Sequence, residues 1–141
     1  MEIKIKRLSK KAALPKYAHK GDAGMDLYII DDKVLNPGEW HAFSTGIAME
    51  IPEGFVGLIW DKSGLASKFG LHVLAGVVDS SYRGEVKVVV YNLSQKPYQF
   101  KKGEQVAQMI IQPCLNADIK MVNKLSNTGR GQGGFGSTGR R

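Results

Sequence analysis

Short runs in which apolar and polar residues alternate recur along the chain, each closed by Gly, Pro, Asn or Asp, and helical periodicity is nearly absent. That pattern predicts an all-β fold, a sandwich or barrel of short strands. Ile3 to Leu8, Asp26 to Ile30, Gly46 to Ile51 and Phe55 to Trp60 read as strands, with turns at Asn36-Pro37-Gly38-Glu39 and Pro52-Glu53-Gly54. Between Glu85 and Asn92 the alternation puts Val86, Val88 and Val90 on one face. Gln105 to Gln112 is mostly apolar on both faces, as a strand buried between two layers would be. One segment departs from the pattern. Ser63 to Gly70 suits about two helical turns, with Ser63 as the N-cap and Gly70 as the stop.

A chain of 141 residues with 43% apolar residues suits one domain with one core, built without disulfides because Cys114 is the only cysteine. The start of the chain alternates like a strand and carries no signal-peptide pattern, and no apolar stretch approaches the roughly 20 residues of a membrane span. A cytoplasmic protein without membrane contact is expected. The formal charge of +7 invites a nucleic-acid reading. Against it, basic residues are interspersed with acidic ones until Lys120, and a basic surface equally attracts a small polyphosphate. From Ser126 the composition turns to Gly, Ser, Thr, Asn and Arg, with Phe135 as the sole aromatic. The expected organisation is a β domain over residues 1–125 and a flexible arm over 126–141.

Four clusters interrupt the strand pattern. In Asp22-Ala23-Gly24-Met25-Asp26-Leu27 a carboxylate sits among apolar neighbours, a costly place unless it is paired or near a cation; a turn-capping Asp is the plainer reading. Asp61-Lys62-Ser63-Gly64 opens the helix with backbone amides, a hydroxyl and a glycine that can seat a phosphate, although an ordinary N-cap needs only Ser63. Ala75 to Glu85 reads as a hairpin of small residues that presents Asp79, as a general base, beside Tyr82, a ring able to floor a sugar. Turn chemistry explains Ser80, Ser81 and Gly84, but not an Asp79 placed directly after two valines expected to be buried. In the tail, Arg130 offers a fork to a terminal phosphate, Ser137 and Thr138 offer hydrogen bonds, and Phe135 offers a stacking face. An RGG-like nucleic-acid tail is the rival, present in one copy and not as a repeat.

In order and spacing the chain resembles the trimeric dUTPase family through five motifs. These are Ala23-Gly24-Met25-Asp26-Leu27; Lys62-Ser63-Gly64-Leu65-Ala66; Gly76-Val77-Val78-Asp79 through Tyr82-Arg83-Gly84; Gly103-Glu104-Gln105-Val106-Ala107-Gln108; and the Gly-rich tail. The resemblance implies a jelly-roll-like subunit, a homotrimer with three shared sites, and an arm from one subunit closing a site built by others. It implies hydrolysis of dUTP to dUMP and pyrophosphate with magnesium. Asp79 would activate the water and touch the 3′-hydroxyl; Gly76 and Val77 would read uracil, Tyr82 would bar a ribose, and Phe135 would cover the base. Lys62, Ser63, Gly64 and Gln108 would meet the phosphates, and Arg130, Gly136, Ser137 and Thr138 would hold their γ end. Asp26 and Gln108 would touch the water shell of a magnesium ion held mainly by the phosphates.

Three positions depart from the family pattern: Asp61-Lys62 replaces Pro-Arg, Ser81 replaces a second acid, and Gln105 replaces an arginine that would pair with a carboxylate. Altered affinity or arm docking is expected from them, not lost activity. The competing readings are a dCTP deaminase of the same fold, a nucleic-acid-binding β-barrel and an inactive trimeric relative. The first lacks its Arg-Ser-Ser helix start here, and intact Asp26, Asp79 and Arg130 speak against the last.

Overall fold

The computed structural model describes residues 1–134. In chain order its elements are β1 (Lys4–Arg7), β2 (Met25–Tyr28), β3 (Lys33–Leu35), β4 (Trp40–Ser44), β5 (Ile47–Glu50) and β6 (Phe55–Trp60), then α1 (Ser63–Phe69). After the helix come β7 (Leu71–Leu74), β8 (Val77–Val78), β9 (Lys87–Asn92), β10 (Tyr98–Phe100) and β11 (Gln105–Pro113). The fold is all-β and jelly-roll-like. Its two main sheets have strand orders β2-β11-β6-β8 and β4-β9-β7, and every named pairing is antiparallel. Two small pairs, β1-β5 and β10-β3, complete it.

One continuous core draws Leu27, Ile59, Val78 and Met109 from the larger sheet and Phe43, Val73, Val88 and Val90 from the smaller. The alternation expected for Val86, Val88 and Val90 is realised, since all three are buried. Phe100 packs between Phe43 and Tyr98, with ring centroids 4.6 Å apart in each pair. The Tyr98 hydroxyl donates to Glu104 Oε1, and burial with this carboxylate beside it pushes the phenol pKa up to about 12. Buried Asn92 has its amide nitrogen taken by the carbonyls of Leu35 and Lys96, and its Oδ1 accepts from Ser94, so no polar cost is left in that corner.

Strict alternation fails once, and the failure matters. The pairing of β11 with β2 shifts between Gln105 and Ala107, so Gln105 faces Tyr28 while Gln108 faces Asp26. Without this bulge, residues three apart would point to opposite faces; with it, Gln105 and Gln108 both join the face of Asp26.

Three sequence expectations need correction. Ser63 is not the helix cap: Lys62 holds that position with φ −81° and ψ 122° and no side-chain cap, while Gly70 does end α1, in the left-handed conformation with φ 64°. The segment from Ala75 to Glu85 is not a simple hairpin, because β8 inside it pairs with β6. Nor are both valines before Asp79 buried, since Val77 is 67% exposed on the edge strand. Beyond Pro113, residues 114–134 carry no helix or strand, and Leu115 and Ile119 are almost wholly exposed. Among the described residues no helix is long and apolar enough to cross a membrane.

Candidate active site

The segment bearing Asp79 and Tyr82 is anchored along its length. At its start, Ala75 and Gly76 take positive φ in succession, 60° and 107°, and the Gly76 carbonyl accepts from Ile59 N at 2.8 Å. A Cβ on Gly76 would stand 2.7 Å from Ile59 O, so only glycine permits this approach. The alanine beside it holds a conformation rare for its type, the kind of strain that gathers at functional sites. Val77 and Val78 then pair with Leu58 and Gly57 of β6. At the far end Glu85 Oε1 accepts from Gly46 N at 2.9 Å and Val86 N donates to Ile47 O.

Within this frame a turn returns Tyr82 N to Asp79 O at 3.1 Å, and the Tyr82 hydroxyl donates to Glu85 O at 3.0 Å. The ring lies over Gly84, where any side chain would collide with it. Arg83 Nη1 donates to the carbonyls of Ser80 and Tyr82, which commits that guanidinium to the loop. Gly76, Val77, Asp79 and Tyr82 therefore line one cavity of about 260 Å³. Asp79 is exposed and also borders a second cleft beside Val56, Ser80 and Cys114.

A second cluster forms where β2, β11 and the end of β6 meet. Asp26, Gln108 and Trp60 stand in one row across the sheet. Asp26 is only 3% exposed, and its charge is compensated: Lys62 Nζ reaches Oδ1 at 2.5 Å and Gln105 Nε2 donates to Oδ2 at 2.7 Å. The turn-capping reading of Asp26 is thereby set aside. Gln105, where a relative's arginine was expected, keeps a bond to the carboxylate but brings no charge. Gln108 Nε2 donates to Asp61 O at 2.8 Å, which leaves Oε1 as its acceptor. Ser63 and Gly64 are exposed beside this cluster.

The cavities that Asp79 lines contain neither Ser63 nor Gly64. The register explains why: Val77 and Val78 face Leu58 and Gly57, so the chain runs toward Asp79 in the direction away from Trp60 and Asp61. In the tail, Arg130 Nε donates to Gly133 O within a local turn. Phe135, Gly136, Ser137 and Thr138 lie outside the described residues. Sequence reasoning gave Asp61 and Glu85 no role of their own and passed over His72. Asp61, coming straight after the apolar strand from Phe55 to Trp60, was the one available signal.

As to a metal, no group of three or more His, Cys, Asp or Glu is placed to hold one among the described residues. The one buried carboxylate, Asp26, already has both oxygens engaged. Such a donor set does not make a protein cage; it suits a magnesium ion carried by phosphates and met through water.

The dUTPase family model matches residues 10–139. The chain belongs to the dUTPase family. It is 46% identical over 140 residues to the deoxyuridine 5′-triphosphate nucleotidohydrolase of Clostridium tetani, covering 98% of this chain and 97% of that protein. To the enzyme of the same name from a Hydrogenobaculum species it is 49% identical over 142 residues, covering 99% of each. Among solved structures, a point mutant of the Staphylococcus bacteriophage 80alpha dUTPase with dUpNHpp superimposes with a TM-score of 0.93 at 31% identity, covering 99% of both chains. A mutant dUTPase of phage phi11 of S. aureus, described with a structural Mg(II) ion, superimposes with a TM-score of 0.82 at 29% identity, over 88% of this chain and 98% of that one.

Proposed function

We propose that the chain is a magnesium-dependent dUTP diphosphatase, releasing dUMP and pyrophosphate at sites shared between the subunits of a homotrimer. Support comes first from the cavity that gathers Gly76, Val77, Asp79 and Tyr82, because it sets one exposed carboxylate beside a space for a base and sugar. In this reading Asp79 takes a proton from a water molecule whose oxygen attacks the α-phosphorus, and the bond from that phosphorus to the bridging oxygen breaks. Gly76 and Val77 hold the uracil edge through backbone groups, and the Tyr82 ring, fixed at its hydroxyl, lies against the deoxyribose where a 2′-hydroxyl would collide. Ser63 and Gly64 seat the leaving phosphates, while Lys62, expected from the sequence to add positive charge there, stands beside them paired with Asp26.

Gln108, and Asp26 through the lone pairs that Lys62 and Gln105 leave free, would meet the water shell of a magnesium ion bound to the substrate. When bound, that ion offsets the negative charge of the phosphates. Arg130, Phe135, Gly136, Ser137 and Thr138, on an arm over residues 126–141, close the site of another subunit over the base and the γ-phosphate. The exposed Leu115, Ile119, Met121 and Leu125 support such an exchange, since a segment this apolar needs a surface to cover it. The proposed role is to keep uracil out of DNA and supply dUMP for thymidylate synthesis, in the cytoplasm, with no stable nucleic-acid partner.

The test is Asp79→Asn, which keeps the shape but cannot accept the proton. It should bind a non-hydrolysable dUTP analogue normally and lose turnover by about 100- to 10,000-fold, the range of a lost general base. Wild-type turnover in this variant ends the assignment.

A further inference from the structure

The two residues joining β6 to α1 send their side chains in different directions, and both are tied down. Asp61 Oδ1 accepts from Val73 N at 2.6 Å, and its Oδ2 meets His72 Nδ1 at 2.8 Å, so one carboxylate clasps two residues of β7. Lys62 turns the other way, to Asp26 on β2. Gln108 on β11 holds the Asp61 carbonyl. Three strands thus grip a two-residue junction. Helix packing adds to this through partly buried Leu65 and the contact of Phe69 with Tyr98, but α1 has no fully buried residue.

We infer that Asp61, with His72 as its partner, is a positioning residue for the reaction: it fixes the 61–64 segment so that Ser63 and Gly64 present the same geometry to every incoming triphosphate. This rests on the reading of Ser63 and Gly64 as phosphate contacts. Asp61 is no general base or substrate ligand here, since both of its oxygens are spent on β7. Nor can Lys62 alone fix the segment. Its ammonium is bound to the one buried carboxylate of the site, and swinging it toward a phosphate would leave Asp26 unpaired. The clasp also forms a wall of a cavity of about 450 Å³ that reaches Gly76 and Val77.

A loosened clasp should impair the step in which charge builds on the leaving phosphates and spare recognition of the nucleoside. The experiment compares Asp61→Ala and Asp61→Asn in the full-length enzyme with magnesium, reading kcat and KM for dUTP and the inhibition constant of dUMP. Asp61→Ala should lower kcat about 10- to 100-fold, as small misplacements of a reacting group do, with dUMP inhibition changed less than about twofold. Asp61→Asn retains an oxygen for Val73 N and should recover most of the rate. Asp61→Ser, a milder truncation, gives the same reading if the alanine variant is insoluble.

Ser63→Ala measured alongside separates the two ideas. A slowed Ser63→Ala with an unaltered Asp61→Ala overturns the positioning role and leaves the phosphate seat standing. An unaltered Ser63→Ala overturns the seat, and the inference with it. Equal losses of dUMP binding and turnover in Asp61→Ala would show a merely structural residue, and also overturn the inference.

Discussion

Gly24→Ala adds one methyl group at a place where the structure leaves no room for it. A Cβ there would stand 2.5 Å from Gln108 Oε1 and 3.0 Å from Gln108 Cβ and Cδ. The amide end can rotate, but Cβ is fixed to β11, which is hydrogen-bonded on both sides. Gln108 must therefore abandon its rotamer and its 2.8 Å bond to the Asp61 carbonyl. Overpacking costs about 1–3 kcal/mol and the lost bond about 0.5–1.5 kcal/mol. Reduced freedom of the unfolded chain returns about 0.4–1 kcal/mol, for a net loss of roughly 0.5–4 kcal/mol. Urea unfolding at matched protein concentration would measure it, and dUTP turnover would report the displaced Gln108, expected to slow by about 10-fold or more. A midpoint and a rate both equal to wild type would refute the view that this glycine exists to make room for Gln108.

Gly64→Ala should part stability from activity: no atom lies within 4 Å of the added methyl, so the helix gains about 0.5–1 kcal/mol while the phosphate seat is obstructed and KM for dUTP rises. Thermal unfolding and steady-state kinetics on one preparation check it, and a variant both less stable and fully active contradicts it. Mixing Asp79→Asn with Ser63→Asp, each inactive alone, should restore about one quarter of the wild-type rate if each site takes Asp79 and Ser63 from different copies that assemble at random. No recovery after unfolding and joint refolding would place both residues in the same chain's site.

What could be read from the sequence was whatever local pattern and packing specify together. Val86, Val88 and Val90 were legible because their face meets a continuous core, and Gly70 because a left-handed helix end favours glycine. In β4, Trp40-His41-Ala42-Phe43-Ser44 escaped because only Phe43 is fully buried, so no alternation marks it. β8 is two residues long, and its partner β6 is remote in sequence. The bulge in β11 was equally hidden, since its register answers to β2, and with it the shared face of Gln105 and Gln108. Ser63 was taken for the cap by residue type, yet Lys62 is held in place by a carboxylate 36 positions earlier. Motif order nominated the candidate site residues, but it carries no trace of the ties that hold them, such as Asp61 to Val73 and Gln105 to Asp26.

The register of β6 also bears on the proposal that sites are shared between subunits. Gly57 faces Val78 and Leu58 faces Val77, so continuing the ladder sets Asp79 opposite Val56. Ser63 follows the other end of the same strand, beyond Trp60. From Val56 to Asp61 alone the strand advances about 17 Å at its usual rise of roughly 3.3 Å per residue. A general base must come within about 3 Å of the water it activates, and that water must touch the phosphorus next to the leaving group. With Asp79 as the base and Ser63 as a phosphate contact, as proposed above, the two groups of one chain would serve different substrate molecules, each completing a site with its counterpart from a neighbour. A rigid strand that keeps the two groups apart in one subunit would then be the spacer that sets neighbouring sites around the proposed trimer.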